Sequence, residues 1–384
     1  MARAFRSVAA LVAIVLGVGV LSGCSTPNPS GTTIASILPN PNPNSTPTPS
    51  AVAPTGTPED VVTGLTSPWS ILRVSPTLTL VSERDSGVIE RVTSTAHLEK
   101  IGTVPGVVHD GEAGLLGLAF LEASPGTRTS WLYAYETTAS DNRIVRMSLS
   151  DSYRLGPPQV ILKGLVSANH HDGGRIAFGP DGMLYATVGD AGDTSHSQDL
   201  SSLNGKILRM TPTGGIPDSN PFPHSLIWSY GHRNPQGLAW DSSGQLYASE
   251  FGQDTWDEFN KITPGSNYGW PIVEGIAHDP RFVDPLVQWP TDDASPSGLT
   301  YIDGTFFLAG LGGRRLWVIT VDAAGAASAT ALYVGTYGRL RDVVEGPGSG
   351  STPTLWILTD NTDGRGSPKP GDDRILQVPL AATK

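Results

Sequence analysis

The chain has 384 residues, of which 38% are hydrophobic and 16% charged, a composition that suits one large globular domain or two smaller ones. Its 36 Asp and Glu outnumber its 25 Lys and Arg, so the formal net charge is −11. Such a chain lacks the basic surface that nucleic-acid phosphates require. This excludes DNA or RNA as an expected partner and argues against electrostatic docking to anionic lipid.

The N-terminus has the pattern of a bacterial secretory signal. Arg3 and Arg6 precede an apolar run over residues 8–20, which is shorter than the roughly 20 residues that a transmembrane helix needs. The run leads to Leu21-Ser-Gly-Cys24, which resembles a lipobox, the signal in which the cysteine is lipidated and becomes the mature N-terminus. Cys24 is the only cysteine, so no internal disulfide can form. We expect lipidation at Cys24; the alternative is a secreted protein with a chance cysteine near the cleavage site.

The segment after this cysteine predicts a tether. Pro, Ser, Thr and Asn dominate residues 25–58, which have too few apolar side chains to bury a core. We expect a signal peptide (1–23), a disordered tether that carries the lipidated cysteine (24–58) and a folded domain (59–384). The lipid anchor alone would hold that domain at the extracytoplasmic face of the cell membrane.

From residue 59 onward a strand-like phrase recurs roughly every 50–60 residues, a period typical of radially repeated β-structure. Its clearest copy runs from Arg175 to Asp190: an apolar strand, a Gly/Pro/Asp turn, and a second apolar strand that ends at a polar residue. The other copies contain residues 79–84, 131–135, 237–250, 298–309 and 355–360.

A third apolar strand follows most copies, as in residues 143–147, 205–210, 258–262, 315–319 and 374–378. Strand, turn, strand, loop, strand is most of a four-stranded blade. The sequence therefore predicts an all-β fold, a six-bladed β-propeller with four-stranded antiparallel blades. A pair of β-sandwiches is the alternative, but sandwiches lack this regular repeat. Two long connections, residues 211–229 and 267–297, are expected to be loops, either functional or inserted.

Three polar segments interrupt the repeat, and each directly precedes the first strand of a copy. They are residues 169–175, followed by Asp190; residues 228–237, followed by residues 250–253; and residues 337–342. Equivalent positions in propeller blades fall on the same face near the axis. We therefore expect these segments to share one pocket.

The first segment contains the adjacent His170 and His171. Paired histidines with a nearby acid suggest either a metal site or a general base that a carboxylate orients. On an extended segment the two rings would point to opposite sides, so one shared metal is not expected, and a zinc signature is absent. The functional interpretation is a base paired with Asp190; the alternative is a structural histidine before Gly-Gly.

The other two segments contribute Arg233, Arg339 and Arg341. Three guanidinium groups on one face of an acidic propeller suggest an anionic ligand with several carboxylates or phosphates. Alternatively, these arginines form salt bridges within the chain. The candidate acids for such pairs are Asp342, Glu250 and Asp257.

Six phrases resemble the soluble quinoprotein glucose/sorbosone dehydrogenase family, which includes periplasmic aldose sugar dehydrogenases. They are residues 111–120 (GEAGLLGLAF), 171–175 (HDGGR), 205–209 (GKILR), 231–237 (GHRNPQG), 267–271 (NYGWP) and 339–342 (RLRD). The resemblance keeps motif order from residue 64 to residue 378. With the lipobox and the Pro-rich tether, the chain looks like a lipoprotein member from an actinobacterium, more narrowly a mycobacterium.

The resemblance implies cofactors, substrate and catalytic residues. The family uses pyrroloquinoline quinone (PQQ) and calcium, so we expect both here, with an aldose substrate and a separate electron acceptor. His171 matches the general base that takes the proton of the sugar C1 hydroxyl, and Asp190 matches the carboxylate that orients this base. Arg233 and Asn234 match the groups that polarise the quinone oxygen.

Further positions follow from the same resemblance. Arg339 and Arg341 match the pair that holds the cofactor. Glu112 stands beside the reacting centre, where the family often has Gln. Gly252 and Gln253 match positions that offer backbone carbonyls to calcium, a hard cation that oxygen donors suit.

One motif departs from the family. Its members often carry a cofactor-binding lysine in a phrase ending Lys-Gly-x-Arg-Leu, and this chain has Gly312 at the lysine position, with Arg314 and Arg315 as other sources of charge. The sequence thus predicts a membrane-anchored, PQQ-dependent sugar dehydrogenase. One alternative is a propeller without turnover that binds a ligand or protein in the cell envelope. The other is a lactonase-type hydrolase, which would need several acidic calcium ligands at the axis.

Overall fold

Short apolar segments between Gly-, Pro- and Asp-rich turns form six antiparallel sheets around one axis. The computed structural model describes residues 50–93, 97–124, 129–348 and 352–383, all within the unit Thr48–Lys384. The predicted six-bladed β-propeller with four-stranded blades is confirmed. The signal peptide, Cys24 and most of the tether lie outside the described residues, so lipidation stays a prediction. Within the described part of the chain, no helix is long and apolar enough to cross a membrane.

The first three blades follow two short N-terminal strands, β1 (Val52–Pro54) and β2 (Glu59–Thr63). Blade 1 comprises β3 (Pro68–Ser75), β4 (Leu78–Glu83), β5 (Val88–Val92) and β6 (Leu98–Thr103). Blade 2 comprises β7 (Leu115–Leu121), β8 (Ser130–Thr137), β9 (Asn142–Leu149) and β10 (Gln159–Leu165). Blade 3 comprises β11 (Ile176–Phe178), β12 (Leu184–Val188), the short helix α1 (Ser195–Gln198), β13 (Lys206–Met210) and β14 (Ile227–Tyr230).

The last three blades continue in the same way. Blade 4 comprises β15 (Asn234–Trp240), β16 (Leu246–Phe251), β17 (Trp256–Lys261) and β18 (Val287–Pro290). Blade 5 comprises β19 (Pro296–Ile302), β20 (Thr305–Gly310), β21 (Arg315–Val321) and β22 (Ala327–Leu332). Blade 6 contains β23 (Leu340–Glu345), β24 (Thr354–Thr359) and β25 (Arg374–Ala382). The predicted third strands are β9, β13, β17, β21 and β25. The outer strand β18 lies inside a segment expected to be a loop, and β14 overlaps the end of the other.

The N-terminal strands complete the sixth blade. β2 pairs antiparallel with residues 374–377 of β25, and β1 pairs with residues 380–382 of the same strand. Val52 is buried, and its backbone N–H donates to Thr305 Oγ1 at 2.9 Å. The folded unit therefore includes Val52, which lies in the segment assigned to the tether, before the expected boundary at residue 59. Composition did not indicate this strand because its partner is at the other end of the chain.

The axis of the ring is filled by a buried polar cluster. Arg175, directly before β11, donates from Nη1 to Asp342 Oδ2 and from Nε to the Gln236 carbonyl, both at 2.9 Å. Its guanidinium lies 4.3 Å from the centroid of the Trp69 ring. These residues come from the inner strands of blades 1, 3, 4 and 6 or directly adjoin them. The cluster thus connects the ring across its centre, and apolar side chains pack between neighbouring blades.

Candidate functional site

The predicted site residues lie at the ends of strands on one face of the propeller. Inner strands all start on this face, because each blade begins with its innermost strand and the chain returns after four antiparallel strands. Glu112 precedes β7, His171 precedes β11, Asp190 follows β12, Arg233 and Asn234 stand at the start of β15, Gly252 and Gln253 follow β16, and Arg339 and Arg341 stand at the start of β23.

The turn before β11 depends on left-handed backbone conformations. His171 has φ 61, and Gly173 and Gly174 have φ 67 and 98. A Cβ at Gly189 would lie 1.9 Å from the His171 carbonyl oxygen, so β12 approaches this turn only because residue 189 is glycine. The turn places the His171 ring against the residue that follows Gly189.

His171 and Asp190 form a buried hydrogen-bonded pair. His171 Nδ1 lies 2.7 Å from Asp190 Oδ1, and the carboxylate also accepts the Gly192 N–H at 2.8 Å and Trp270 Nε1–H at 2.9 Å. Burial acts to raise the pKa of Asp190, but these hydrogen bonds outweigh it and hold the pKa below its ordinary value. An ionised Asp190 fixes the proton on His171 Nδ1. Nε2, which no described residue contacts by a hydrogen bond, is then free to accept a proton.

The rings of His170 and His171 touch instead of pointing to opposite sides as expected. They meet edge to face with centroids 4.4 Å apart, because the positive φ of His171 breaks the extended conformation. Among the described residues, no group of three or more His, Cys, Asp or Glu is arranged to hold a metal ion.

Glu112 connects the His171 turn to two other blades. Its Oε2 accepts the His171 backbone N–H at 3.0 Å and Asn234 Nδ2–H at 3.3 Å, while its Oε1 accepts Arg365 Nη1–H at 2.8 Å. Burial acts to raise the pKa of Glu112, but Arg365 and the other donors lower it overall. Asn234 Oδ1 in turn accepts the Gly173 N–H at 3.0 Å. Glu112 and Asn234 therefore support the turn that carries the histidine.

Arg233 is 9% exposed and forms no ion pair with any described residue. Its Nε and Nη2 donate to Gln253 Oε1 at 3.0 and 2.6 Å, and its guanidinium lies 5.5 Å from the centroid of the Trp270 ring. Burial lowers its pKa, but an arginine stays charged at neutral pH. A buried guanidinium without a carboxylate partner suits an anionic ligand or an oxygen that gains negative charge.

A second histidine–carboxylate pair lies behind Arg233. His232 Nδ1 lies 2.8 Å from Glu250 Oε2, and its Nε2 lies 2.8 Å from Ser229 Oγ. Glu250 Oε1 accepts the backbone N–H of Arg233 at 2.6 Å. All three partners are buried, and the His232 ring stacks on Tyr268 with centroids 4.7 Å apart. Both ring nitrogens are occupied, so this pair orients the backbone at Arg233.

The guanidinium groups of Arg339 and Arg341 are already paired with acids. Arg339 donates from Nε and Nη2 to Asp363 Oδ2 at 3.0 and 2.8 Å, and Arg341 donates from Nε to Asp360 Oδ2 at 2.7 Å. The salt-bridge alternative therefore describes both arginines, but neither acid is among the predicted candidates. Burial raises the pKa of Asp360 to about 6, against the opposing charge of Arg341. Any ligand of these arginines would share them with the two acids.

The loop after β16 presents two backbone carbonyls that accept no hydrogen bond from the described residues. Glu274 Oε1 accepts the N–H groups of residues 253–256 at 2.6–3.2 Å, and Asp257 Oδ1 accepts the Gly252 N–H at 2.8 Å. No N–H or O–H of a described residue donates to the carbonyls of Gly252 or Gln253. Backbone carbonyl oxygens are a ligand type that calcium takes, so these two are the candidate donors at this loop, and the Gln253 side chain is not needed for that role.

Several contacts of this site were not predicted. Trp270 connects the two histidine pairs, since its Nε1–H donates to Asp190 Oδ2 and its ring lies beside the Arg233 guanidinium. It belongs to the NYGWP phrase, in which the sequence suggested no individual role. Arg365 is in a polar loop without a periodic pattern, so nothing in the sequence indicated its contact with Glu112.

The chain resembles known proteins in both sequence and fold. A model of the glucose / sorbosone dehydrogenase family matches residues 65–368. The chain is 50% identical to the PQQ-bound form of aldose sugar dehydrogenase from Streptomyces coelicolor, with a TM-score of 0.80 over 87% of this chain and 99% of that chain.

Two curated proteins are more distant relatives. Aldose sugar dehydrogenase YliI of Escherichia coli is 29% identical over 295 residues, which cover 68% of this chain and 78% of that protein. Quinoprotein glucose dehydrogenase B of Acinetobacter calcoaceticus is 32% identical over 256 residues, which cover 57% of this chain and 53% of that protein.

Proposed function

Because the chain belongs to the glucose/sorbosone dehydrogenase family, we propose that it is a PQQ-dependent dehydrogenase that oxidises aldoses at the C1 hydroxyl. The observation that carries this proposal is His171, whose Nδ1 is held by an ionised Asp190 while Nε2 has no described partner. The PQQ-bound relative that is 50% identical supports the choice of cofactor.

His171 acts as the general base. Oxidation of a C1 hydroxyl to a lactone carbonyl removes a hydride from carbon and a proton from oxygen. His171 Nε2 takes the proton, and Asp190 stabilises the imidazolium that forms, since its carboxylate already accepts the Nδ1–H. PQQ, when bound, supplies the acceptor of the hydride and its two electrons.

Other residues would bind the cofactor and stabilise developing charge. Arg233 lacks a carboxylate partner, and Asn234 uses one Nδ2–H for Glu112 and keeps the other, so both would donate to an oxygen that becomes negative. Arg339 and Arg341 would bind the anionic groups of PQQ, and the carbonyls of Gly252 and Gln253 would coordinate calcium. Glu112 would hold the His171 turn in place.

We extend the proposal to the location of the enzyme. The sequence at Cys24 supports a lipid anchor, and the Pro-rich segment after it supports a spacer that keeps the propeller off the membrane at its extracytoplasmic face. Reoxidation of the cofactor then requires an electron acceptor that can reach this face.

A binding module without turnover is the second candidate. It is favoured by Gly312 and by the ion pairs that already engage Arg339 and Arg341. Titration of the purified full chain with PQQ and calcium, followed by aldoses and a dye acceptor, separates the two. Reduction of the dye supports the dehydrogenase, whereas PQQ binding without dye reduction by any aldose supports the binding module. Absence of binding at micromolar PQQ rules out the dehydrogenase.

A further inference from the structure

A cavity of about 380 Å³ opens on the site face between blades 5 and 6. Three loops line it: the turn between β20 and β21, the segment before β23, and the connection between β24 and β25. They contribute four cationic side chains, Arg314, Arg339, Arg365 and Lys369. A cavity of this size is within the range that small ligands and cofactors occupy, about 300–1,000 Å³.

Acids within the described chain neutralise only two of these cations. Arg339 pairs with Asp363, and Arg365 pairs with Glu112. Neither Arg314 nor the Lys369 ammonium has a carboxylate within ion-pair distance among the described residues.

An acid close to Lys369 in sequence is engaged elsewhere. Asp372 accepts the backbone N–H of Lys369 at 2.8 Å and forms its ion pair with Arg374. In a chain with a net charge of −11, a cavity with two unbalanced positive charges is a local exception that suits an anion.

Gly312 lines the same cavity as Arg314 and Lys369, so both cations belong to the wall that contains residue 312. A Cβ at Gly312 would lie 2.3 Å from Ser295 Oγ, so a longer residue there requires Ser295 to move. The neighbouring Arg315 does not line the cavity, because its guanidinium pairs with Asp293 at 2.8 Å.

We propose that Arg314 and Lys369 form a carboxylate-binding subsite for the anionic end of the cofactor, with the partly buried Arg339 as its wall. This inference rests on the proposed function and assigns to two residues of this chain the charge missing at Gly312. The ligand class is a polycarboxylate, because Arg314 and Lys369 have no acidic partner among the described residues and Arg339, which Asp363 engages through Nε and Nη2, keeps Nη1 for a further oxygen. Arg365 lines the cavity and donates to Glu112, and Glu112 also accepts the backbone N–H of His171. The subsite is thus connected to the candidate base.

The test compares PQQ with its trimethyl ester, which has no carboxylate charge. Dissociation constants are measured without sugar, by quenching of tryptophan fluorescence, for the full-length wild type and the Arg314→Gln/Lys369→Gln double variant. We expect the double variant to bind PQQ about tenfold more weakly, with a smaller dependence on salt, and to bind the ester within about twofold of wild type. Arg315→Gln is the matched control and should leave both constants unchanged.

Three outcomes would overturn the inference, and each differs from the others. If wild type binds PQQ and the double variant binds it equally well, the subsite is wrong while the proposed function stands. If the variant loses PQQ and ester affinity to the same extent, the two residues act through shape or folding and not through charge. If wild type itself does not bind PQQ, the proposed function and the subsite fall together.

Discussion

Two histidine–carboxylate pairs lie on the same face of the propeller and differ in what surrounds their rings. His171 lies 2.7 Å from Asp190 and His232 lies 2.8 Å from Glu250, each through Nδ1. The His232 ring is fully buried, and its Nε2 forms a hydrogen bond with Ser229 Oγ. The His171 side chain is 11% exposed, and its Nε2 has no hydrogen-bond partner among the described residues. The free nitrogen, and not the carboxylate pairing, therefore distinguishes a candidate base from a positioning residue.

The second pair serves the first indirectly. Glu250 holds the backbone N–H of Arg233, and Arg233 lies beside Trp270, whose indole N–H donates to Asp190. One pair can thus move protons while the other fixes the nearby cation. This division predicts different consequences when each pair is disrupted.

Removal of the His171 ring, which carries the free Nε2, should have the largest effect on kcat. His171→Ala is expected to lower kcat by about 10³-fold, because a positioned general base contributes about 10²–10⁴-fold. PQQ affinity should stay within about threefold of wild type, as measured by fluorescence titration. His170→Ala, which removes the adjacent ring, is the control and should keep kcat within about threefold. A His171→Ala enzyme that turns over normally would contradict the assignment of the base.

Asp190→Asn should lower kcat by about 10²-fold, because the neutral amide neither fixes the His171 tautomer nor stabilises the imidazolium. It should also change stability with a defined pH dependence. The folded pKa of Asp190 is depressed from 3.8, so its contribution is present above the unfolded pKa and is lost as the pH falls through the lower folded pKa.

Denaturant titrations of wild type and Asp190→Asn should therefore differ by about 2 kcal/mol in the free energy of unfolding at pH 7, the value of a hydrogen bond to a charged group. The curves should converge at acidic pH. A difference that persists unchanged below the folded pKa would show that the carboxylate charge is not responsible.

Disruption of the His232–Glu250 pair should reduce stability more than it alters proton transfer. Glu250→Gln places an amide N–H opposite either the Arg233 N–H or the His232 ring donor, which costs about 2 kcal/mol in the free energy of unfolding. We expect kcat to fall about tenfold as Arg233 shifts, while the pH–kcat profile keeps its midpoint. A shifted midpoint would mean that Glu250 takes part in proton transfer.

Glu258 provides a contrast to Glu250 within the same cluster. Burial, together with the charge of Glu250, raises the pKa of Glu258 well above that of an ordinary carboxyl. With a raised folded pKa, its contribution is present below the unfolded pKa and is lost as the pH rises through the folded pKa. Glu258→Gln should therefore gain stability relative to wild type at alkaline pH, measured by thermal unfolding from pH 5 to pH 9. A relative loss at alkaline pH would show that Glu258 is stabilising as an anion.

The difference between these pairs also shows what the sequence could predict. The strand–turn–strand copies, such as residues 175–190, contain local apolar patterns that specify the propeller without long-range information. The His171 motif was predictable because its polar residues stand where an inner strand should begin. β1 and Arg365 were not predictable, because Val52 pairs with β25 and Arg365 reaches Glu112 from the opposite end of the chain.

The partners of the arginines illustrate the same limit. Asp360 and Asp363 follow β24 in a loop that has no periodic pattern, so the sequence did not favour them over Asp342, which instead pairs with Arg175 at the axis. Contacts between blades depend on the ring geometry as a whole, which local patterns do not encode.

The smallest expected effect concerns the residue between the two pairs. Trp270→Phe keeps an aromatic ring beside Arg233 but removes the N–H that donates to Asp190 Oδ2. Asp190 then loses one of the three donors that hold its carboxylate against His171 Nδ1. Because the base is less firmly oriented, kcat should fall about twofold, equivalent to about 0.4 kcal/mol. Trp270→Leu, which also removes the ring, should lower kcat equally and weaken PQQ binding as well. If Trp270→Phe leaves kcat unchanged, the indole N–H does not contribute to the orientation of the base, and the two pairs are coupled only through Arg233.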